Sequence, residues 1–445
     1  MEKQLNNTRK RSRNRRFLVL TLFPAYFLFC GLVLEPFDDI VKGMIIIFQE
    51  PDFLITDYIA LGGVGAAFVN AALVTLMSIA IIYFLNMDIN GSTIASIFLM
   101  MGFSLFGKNI VNIWAILFGV GLYARYHRQH MSQYIHVAFY GTSLSPIITQ
   151  LVTLSHLHSI YAFTLGILIG LMMGFVLPPL ANNLIHAHRG YCLYNAGFAG
   201  GLIATIVVSV MKSFGIQIDS RDIWYTGSNV MFMQILISFF LILIILGMIS
   251  EPRFFWKYLD ILKHAGRGGT DYCTEEGLGA TLFNMGINGI AATVFVVAVG
   301  SDLNGPTMGG IFTIVGFSAT GKHIRNVVPV IFGVWLASLV SIWNITDHKA
   351  ILAALFSATL APIAGQFGVI WGIVAGFLHA SLSLNVGLIN SGMNLYNNGF
   401  AGGLVATALV PVIISIKSRP INPKDLLDNI LSMTKEPKKK EGKKH

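Results

Sequence analysis

The chain has 445 residues, of which 54% are hydrophobic and only 11% are charged, whereas about a quarter of the residues in soluble domains are charged. This composition excludes a water-soluble fold and indicates a membrane protein. The net charge of +9 comes from the chain ends, which lack the interleaved aromatic residues of a nucleic-acid surface. The sequence has no nucleotide-binding glycine loop, hydrolase motif or metal-ligand spacing, so we expect no enzyme, cofactor or metal site.

Both ends of the chain are basic. Residues 1–16 are rich in arginine and lysine, and the tail 418–445 ends in a lysine-rich run. Because basic segments stay on the cytoplasmic side of a membrane, we expect both termini in the cytoplasm and the protein in the bacterial inner membrane. The expected partners are the lipid bilayer and a small-molecule solute, and a homo-oligomer is compatible with the sequence.

About seven apolar segments are expected in each half of the chain, many of them long enough to cross a hydrocarbon core of about 30 Å. The segments 91–106 and 304–320 are short and begin with Asn-Gly, which is typical of re-entrant half-helices that enter and leave by one side. The predicted fold is therefore an all-α polytopic membrane protein. In the first half the segments lie at 17–34, 58–86, 91–106, 110–124, 135–153, 159–181 and 190–211.

The two halves repeat each other. Thr-Asp-Tyr at 56–58 returns at 270–272, an offset of 214 residues (270 − 56). Stretches 190–205 and 392–407 both read Gly-x-x-Leu-Tyr-Asn-x-Gly-Phe-Ala-Gly-Gly-Leu-x-Ala-Thr, at an offset of 202 (392 − 190). We call these two stretches the Leu-Tyr-Asn motifs. The repeat predicts unit one at 17–225 and unit two at 226–417, between the basic segments 1–16 and 418–445.

Loop charge predicts that the two units are inverted. Residues 35–57 are strongly acidic, whereas the equivalent residues 251–271 include four basic side chains. Since basic loops stay inside, equivalent loops are expected on opposite faces of the membrane. Each unit must then cross the membrane an odd number of times.

Paired polar residues are the best candidates for a solute pathway. An amide side chain in the hydrocarbon region costs several kcal/mol unless it is hydrogen-bonded, and inverted repeats place such pairs near a two-fold axis where transporters bind substrate. Hydrogen bonding between helices remains an equal alternative for Asn70 and Asn284, and simple packing is an alternative for Phe198 and Phe400. The first set of candidates is Asn195, Asn397, Tyr194, Tyr396, Thr205, Thr407, Asn70, Asn284, Phe198 and Phe400.

The short segments add a second set of candidates. Asn90 and Asn304 are expected to open half-helices whose free N–H groups and positive dipole ends face the pore. Thr93 and Thr307 would add hydroxyl groups there. Such ends suit a neutral polar molecule or an anion, although ordinary helix caps would have the same sequence.

Glu275 and Glu276 break the symmetry between the units. They replace Leu61 and Gly62 of unit one, just inside a predicted span. Adjacent carboxylates at such a position are candidates for binding a proton or sodium ion that drives transport. A position at the water interface is the alternative.

Two resemblances rest on these motifs. Over its whole length the chain resembles an uncharacterised family of bacterial membrane proteins, a domain of unknown function with the duplicated Leu-Tyr-Asn-x-Gly-Phe-Ala-Gly-Gly signature. The stretches 90–96 and 304–310, with Phe-Tyr-Gly at 139–141, are also similar to the urea-transporter family. That likeness implies two inverted units around one selective pore, often in a trimer. The urea family's Leu-Pro-x-x-Thr signature does not occur at 193–197 or 395–399, so only the architecture is implied.

The sequence favours a permease or channel for a small polar solute. The first alternative is a proton- or sodium-coupled secondary transporter that uses Glu275 and Glu276. The second alternative is an intramembrane enzyme or a scaffold subunit, which would have little need of two equivalent inverted faces.

Overall fold

The computed structural model describes residues 2–153, 158–216, 218 and 221–418, without the side chains of residues 1–12 and 15. The predicted basic tail after Ser418 lies outside the described residues, as do most side chains of the basic segment 1–16. In the described part the chain forms nineteen α-helices. They are α1 Glu2–Leu34, α2 Phe37–Gln49, α3 Tyr58–Phe84, α4 Gly91–Phe103, α5 Trp114–Tyr126, α6 Ile135–Gly141, α7 Ser145–Val152, α8 Ser159–Ala187, α9 Asn195–Ser213, α10 Asn229–Ser250, α11 Phe254–Ile261, α12 Tyr272–Glu275, α13 Leu278–Ala298, α14 Gly305–Phe317, α15 Ile324–Val340, α16 His348–Ser357, α17 Ala361–Phe367, α18 Val369–Val386 and α19 Asn397–Lys417.

The helices form a multi-pass membrane protein. Nine helical stretches of the described chain are long and apolar enough to cross a bilayer. Large apolar side chains such as Phe29, Ile249 and Ile370 are exposed on them, which soluble proteins rarely tolerate over a wide surface. The predicted all-α polytopic fold is thereby confirmed.

Helix α10 extends from one face of the molecule to the other. It starts just after Ile223, which pairs with Thr56 of the acidic loop, and it ends 22 residues later at the basic loop. At 1.5 Å per residue this helix is about 33 Å long. We call the face with residues 35–57 the acidic-loop face and the face with residues 251–271 the basic-loop face.

The short segment of the first half forms a hairpin with α5. Helix α4 has 13 residues, or about 20 Å, which is less than the thickness of a hydrocarbon core. The equally short α5 runs back toward the face where α4 begins. Its end packs against the residue before α6, with the rings of Tyr123 and Tyr134 5.3 Å apart, and the start of α6 lies beside α4, with His136 Nδ1 3.1 Å from Ser96 Oγ.

Helices α4 and α14 pack side by side in opposite directions at the centre of the molecule. Gly91 at the start of α4 lies against Ala319 just after α14, and Gly305 at the start of α14 lies against Leu105. Aromatic side chains surround the pair. Equivalent helices of the two units are therefore antiparallel where they meet.

Candidate functional site

The two Leu-Tyr-Asn motifs meet at the first turns of α9 and α19. The buried rings of Tyr194 and Tyr396 are 5.0 Å apart, and the rings of Phe198 and Phe400 stack at 6.1 Å. These four side chains were predicted to lie on a shared pathway, and the structure brings them together as two aromatic layers between the units.

The glycines of the motif allow this close approach. A Cβ atom at Gly201 would lie 2.3 Å from the Phe400 side chain, and one at Gly403 would lie 2.2 Å from the Phe198 side chain. Any side chain at either position would collide with the opposite phenyl ring. The Gly-Gly pairs thus permit the contact between the helices, as small residues do in membrane interfaces.

A cavity leads from the acidic-loop face toward this contact. An outer cavity of about 880 Å³ and an inner cavity of about 160 Å³ are both lined by Lys349 and Leu384. The inner cavity ends at Asn397 and Asn398, in the first turn of α19. It therefore stops next to Tyr396 of the aromatic layers.

The amides at the end of the cavity belong to a buried polar group. Asn397 Oδ1 accepts a hydrogen bond of 2.8 Å from Asn390 Nδ2. Asn398 Oδ1 lies 3.2 Å from Nε2 of the buried His379. His188 and Asn390 are equivalent at the offset of 202 residues (390 − 188), so the Oδ1 atoms of Asn195 and Asn397 contact equivalent side chains.

Asn195 lies toward the basic-loop face. Its Oδ1 is 2.9 Å from His188 Nε2, and its Nδ2 donates to the carbonyl of Ala181 at 2.8 Å. Both polar atoms of this amide are occupied. The same motif residue therefore faces a cavity in unit two and closed contacts in unit one.

Two fully buried lysines lie in the turns after the short helices. Lys108 follows α4, and Lys322 occupies the equivalent position after α14. Lys108 Nζ donates to the carbonyl of Phe139 at 3.2 Å, whereas Lys322 Nζ donates to the hydroxyl of Tyr194. Neither lysine forms a salt bridge with a described residue.

Each lysine belongs to a set of buried polar groups drawn from both units. We call Lys108, Ser143, Asn394 and Tyr396 the Lys108 half-site. The equivalent positions form the Lys322 half-site, which consists of Lys322, Thr359, Cys192 and Tyr194.

Hydrogen bonding is complete in the Lys322 half-site. Thr359 Oγ1 accepts from the backbone N–H of Tyr194 at 3.0 Å and lies 3.3 Å from Cys192 Sγ. The Tyr194 hydroxyl contacts the ammonium of Lys322. A methyl group at the neighbouring Gly402 would lie 2.4 Å from Thr359 Cγ2, so this half-site has no spare room.

The Lys108 half-site is incomplete. Ser143 Oγ, Asn394 Nδ2 and the Tyr396 hydroxyl are buried and have no partner among the described residues. A methyl group at the neighbouring Gly200 would meet Ser143 Oγ and Asn394 at no less than 3.7 Å, which is ordinary contact distance. Buried polar atoms are normally paired, so this half-site has unused hydrogen-bonding capacity, and its packing beside Gly200 is looser than that beside Gly402.

Comparison with protein families identifies the chain. A family model described as a protein of unknown function (DUF1576) matches residues 37–213 and 250–415. The chain belongs to the DUF1576 family. The comparisons with curated proteins and with solved structures gave no match, so the likeness to urea transporters stays an expectation from the motifs.

In this DUF1576 protein, Asn70 and Asn284 have one and the same role. Asn70 Nδ2 donates to the carbonyls of Ser104 and Lys108 at 2.7 and 2.8 Å. Asn284 Nδ2 donates to the equivalent carbonyls of Ser318 and Lys322, both at 2.8 Å. Each asparagine holds the turn that carries a buried lysine. These contacts correspond to the alternative given for both asparagines, hydrogen bonding between helices.

Asn90 and Asn304 cap the short helices. Asn90 Oδ1 accepts from the N–H of Thr93 at 2.9 Å, and Asn304 Oδ1 accepts from the N–H of Thr307 at 3.1 Å. The threonine hydroxyls return to the caps at 2.9 and 3.0 Å. All four side chains are thus engaged in helix capping.

Carboxylates of the opposite unit also bind these helix ends. Asp271 accepts from the N–H of Gly91 at 2.9 Å, and Asp57 accepts from the N–H of Gly305 at 3.3 Å. The first N–H groups of α4 and α14, which were expected to face the pore, are therefore occupied.

The remaining candidates lie away from the aromatic layers. Thr205 Oγ1 donates to the carbonyl of Gly201 in its own helix at 2.8 Å, whereas Thr407 Oγ1 is buried without a described partner. Glu276 contacts His264 at 2.9 Å, and Glu275 contacts the same ring at 3.6 Å. Both carboxylates precede α13, which starts at Leu278, so they lie before the span rather than inside it.

Sequence reasoning named the two tyrosines of the half-sites but missed their other residues, which are Lys108, Ser143, Asn394, Lys322, Thr359 and Cys192. The Gly-Lys pairs at 107–108 and 321–322 repeat at the offset of 214 residues (321 − 107). A charged residue duplicated within two apolar hairpins was the available signal. Ser143 and Asn394 gave no such signal, because their equivalents are Thr359 and Cys192.

Proposed function

We propose that this integral membrane protein is a permease that moves a small polar solute across the bacterial inner membrane, with both chain termini in the cytoplasm. On this reading the basic-loop face is cytoplasmic, and the cavity opens to the outside. The observation that carries the proposal is the cavity that narrows onto Asn397 and Asn398. A water-filled path to buried amides in the bilayer interior is the expected architecture of a solute site.

The two half-sites support a carrier-like mechanism. They hold equivalent positions of the two units, and among the described residues only the Lys108 half-site has buried polar atoms without a partner. Its Tyr396 directly precedes Asn397, which lines the inner cavity. In the opposite state of the carrier, the Lys108 half-site would be closed and the Lys322 half-site would be open. Inverted repeats commonly give alternating access in this way.

A proton-coupled carrier is a second candidate, favoured by a carboxylate outside the predicted pair. Asp52 is fully buried, and its carboxylate accepts from Tyr58 Oη at 2.7 Å and from Asn112 Nδ2 at 2.8 Å. Asn112 Nδ2 also contacts the carbonyl of Gly107, next to Lys108. A proton on Asp52 would thus be linked to the Lys108 turn.

Cysteine modification tests the pathway. Ser383 lines the inner cavity, so in a background without Cys30, Cys192 and Cys273 we expect Ser383→Cys to react with a charged thiol reagent from outside the cell. The matched control is Ser209→Cys, on the exposed surface of α9, which should react little in the lipid. Reaction at 383 should block flux in proteoliposomes, and a transported solute should slow it. Equal inaccessibility of both cysteines would contradict the pathway.

A further inference from the structure

The Lys108 half-site gathers its groups within a small volume. The ammonium of Lys108 is 5.0 Å from the centre of the Phe103 ring, and that ring is 4.9 Å from the ring of Tyr396. Ser143 and Asn394 meet at the surface of Gly200, and the backbone N–H of Leu395 donates to the carbonyl of Ser143 at 3.0 Å. The inner cavity ends one residue beyond Tyr396, at Asn397.

The unused capacity of this half-site consists of hydrogen-bond donors. Asn394 Nδ2 can only donate, and the orientation of this amide follows from its Oδ1, which accepts from the backbone N–H of Tyr396 at 3.0 Å. The ammonium of Lys108 has three donors and makes one hydrogen bond to oxygen. The hydroxyls of Ser143 and Tyr396 can donate as well. The Lys108 ammonium and Asn394 Nδ2 can only donate, so a ligand that bonds to them must supply acceptors, to which the two hydroxyls can donate as well.

The buried charge of Lys108 also favours a ligand that supplies acceptors. A buried ammonium without a counter-charge is costly in a membrane interior. Two acids of the described chain are fully buried, and both have other partners. Asp52 accepts from Tyr58 and Asn112, and Asp57 accepts from the N–H groups of Ile59, Tyr225 and Gly305. Neither forms a salt bridge with Lys108. The outer cavity carries both signs, with Asp222 and Asp347 beside Lys349, so it does not select for charge by itself.

We propose that the solute is a small oxyanion, a carboxylate or an inorganic anion, whose oxygens bind Lys108, Ser143, Asn394 and Tyr396. This inference rests on the proposed permease function and names its substrate class. The Lys322 half-site would receive the anion after the aromatic layers separate. Lys322 would then bind the anion in place of the Tyr194 hydroxyl.

Binding and flux are to be measured separately on the purified full-length protein. For binding, thermal denaturation in detergent is followed with acetate, lactate, phosphate and sulfate, and with urea and formamide as neutral probes. We expect stabilisation by at least one anion and none by the neutral probes. Lack of stabilisation by every anion, or stabilisation by the neutral probes alone, would overturn the inference.

For flux, the same solutes are tested in proteoliposomes with an imposed potassium diffusion potential. Anion uptake should saturate, because it passes through a binding site. It should also respond to the potential, because movement of a charged solute carries current. Flux of neutral solutes alone would refute the anion class and leave the permease intact. Anion binding without flux of any solute would refute the permease and leave the binding site.

Four variants separate ligand binding from folding. Ser143→Ala removes a hydroxyl that has no partner, so the fold should be retained while anion affinity falls about tenfold, the size expected for one hydrogen bond to a charged group. Lys108→Met should abolish anion uptake, and Lys108→Arg should restore part of it. The control Lys212→Met removes an exposed lysine at the end of α9 and should leave uptake unchanged. Unchanged anion affinity in folded Ser143→Ala and Lys108→Met would show that the lysine only anchors Phe139.

Discussion

The Lys108 and Lys322 half-sites occupy equivalent positions in the two units, yet only the second is complete. Lys322 contacts Tyr194, and Thr359 fills the space beside Gly402. Lys108 donates to a carbonyl oxygen and a methionine sulfur and makes no contact with the Tyr396 hydroxyl, and a methyl group at Gly200 would meet its neighbours at ordinary contact distance. The two equivalent half-sites therefore differ in hydrogen bonding within a single chain. The incomplete half-site is the one whose unit-two residues lie next to the inner cavity.

The scaffold beneath the two half-sites should be equally important in both units. Asn70→Ala and Asn284→Ala each leave two buried carbonyls without a donor, and each unsatisfied group costs about 1 to 3 kcal/mol. We expect both variants to lose about 3 kcal/mol of stability, measured by thermal denaturation in detergent. A large loss in only one variant would show that the asymmetry extends into the scaffold.

Glycine substitutions should distinguish the half-sites most clearly. Gly402→Ala places a methyl group 2.4 Å from Thr359 Cγ2, and such overpacking costs about 2 kcal/mol. Gly200→Ala meets Ser143 and Asn394 only at contact distance, so stability should change little. It should nevertheless impair solute uptake, because the methyl group lies against Ser143 and Asn394, the side chains to which we assign ligand binding. Melting curves and flux are compared for both variants, and equal destabilisation would disprove the difference in packing.

The tyrosines offer a matched pair with a smaller effect. Tyr194→Phe removes the hydroxyl that Lys322 contacts, which should cost about 1.5 kcal/mol. Tyr396→Phe removes a hydroxyl without a partner, so its melting temperature should match that of the unmodified protein while anion affinity falls. Destabilisation by Tyr396→Phe as large as that by Tyr194→Phe would mean that the Tyr396 hydroxyl has a partner in the folded protein.

Much of this arrangement could be predicted from the sequence, because the repeat itself carries the information. The Leu-Tyr-Asn motifs were expected to meet, and Tyr194 and Tyr396 do so. Burial of Lys108 could not be predicted from hydropathy, since a lysine after a short apolar segment is also typical of a cytoplasmic turn. The start of α13 was missed because Gly277, with φ of 92°, separates this helix from the short helix α12, which ends at Glu275.

Asp52 offers the finest test, because its equivalent in unit two is Gly266 and only the Lys108 side has this acid. It lies between α2 and α3, outside the membrane-spanning helices, where burial raises the pKa of its carboxyl to about 8 despite hydrogen bonds from Tyr58 and Asn112. The nearby carboxylate of Glu50 adds to the rise, whereas the Thr149 hydroxyl opposes it.

The sign of the pH dependence follows from that shift. An acid whose pKa is raised by folding stabilises the folded protein fully below its unfolded pKa of about 4, and this contribution is lost as pH rises through about 8. Melting temperature in detergent should therefore fall between pH 5 and 9, by an amount that is smaller in Asp52→Asn. Asn cannot ionise but loses one hydrogen bond, so the variant should be slightly less stable at pH 5. If its melting temperature fell with pH as steeply as that of the unmodified protein, another group would be responsible, and Asp52 would no longer distinguish the Lys108 side from the Lys322 side.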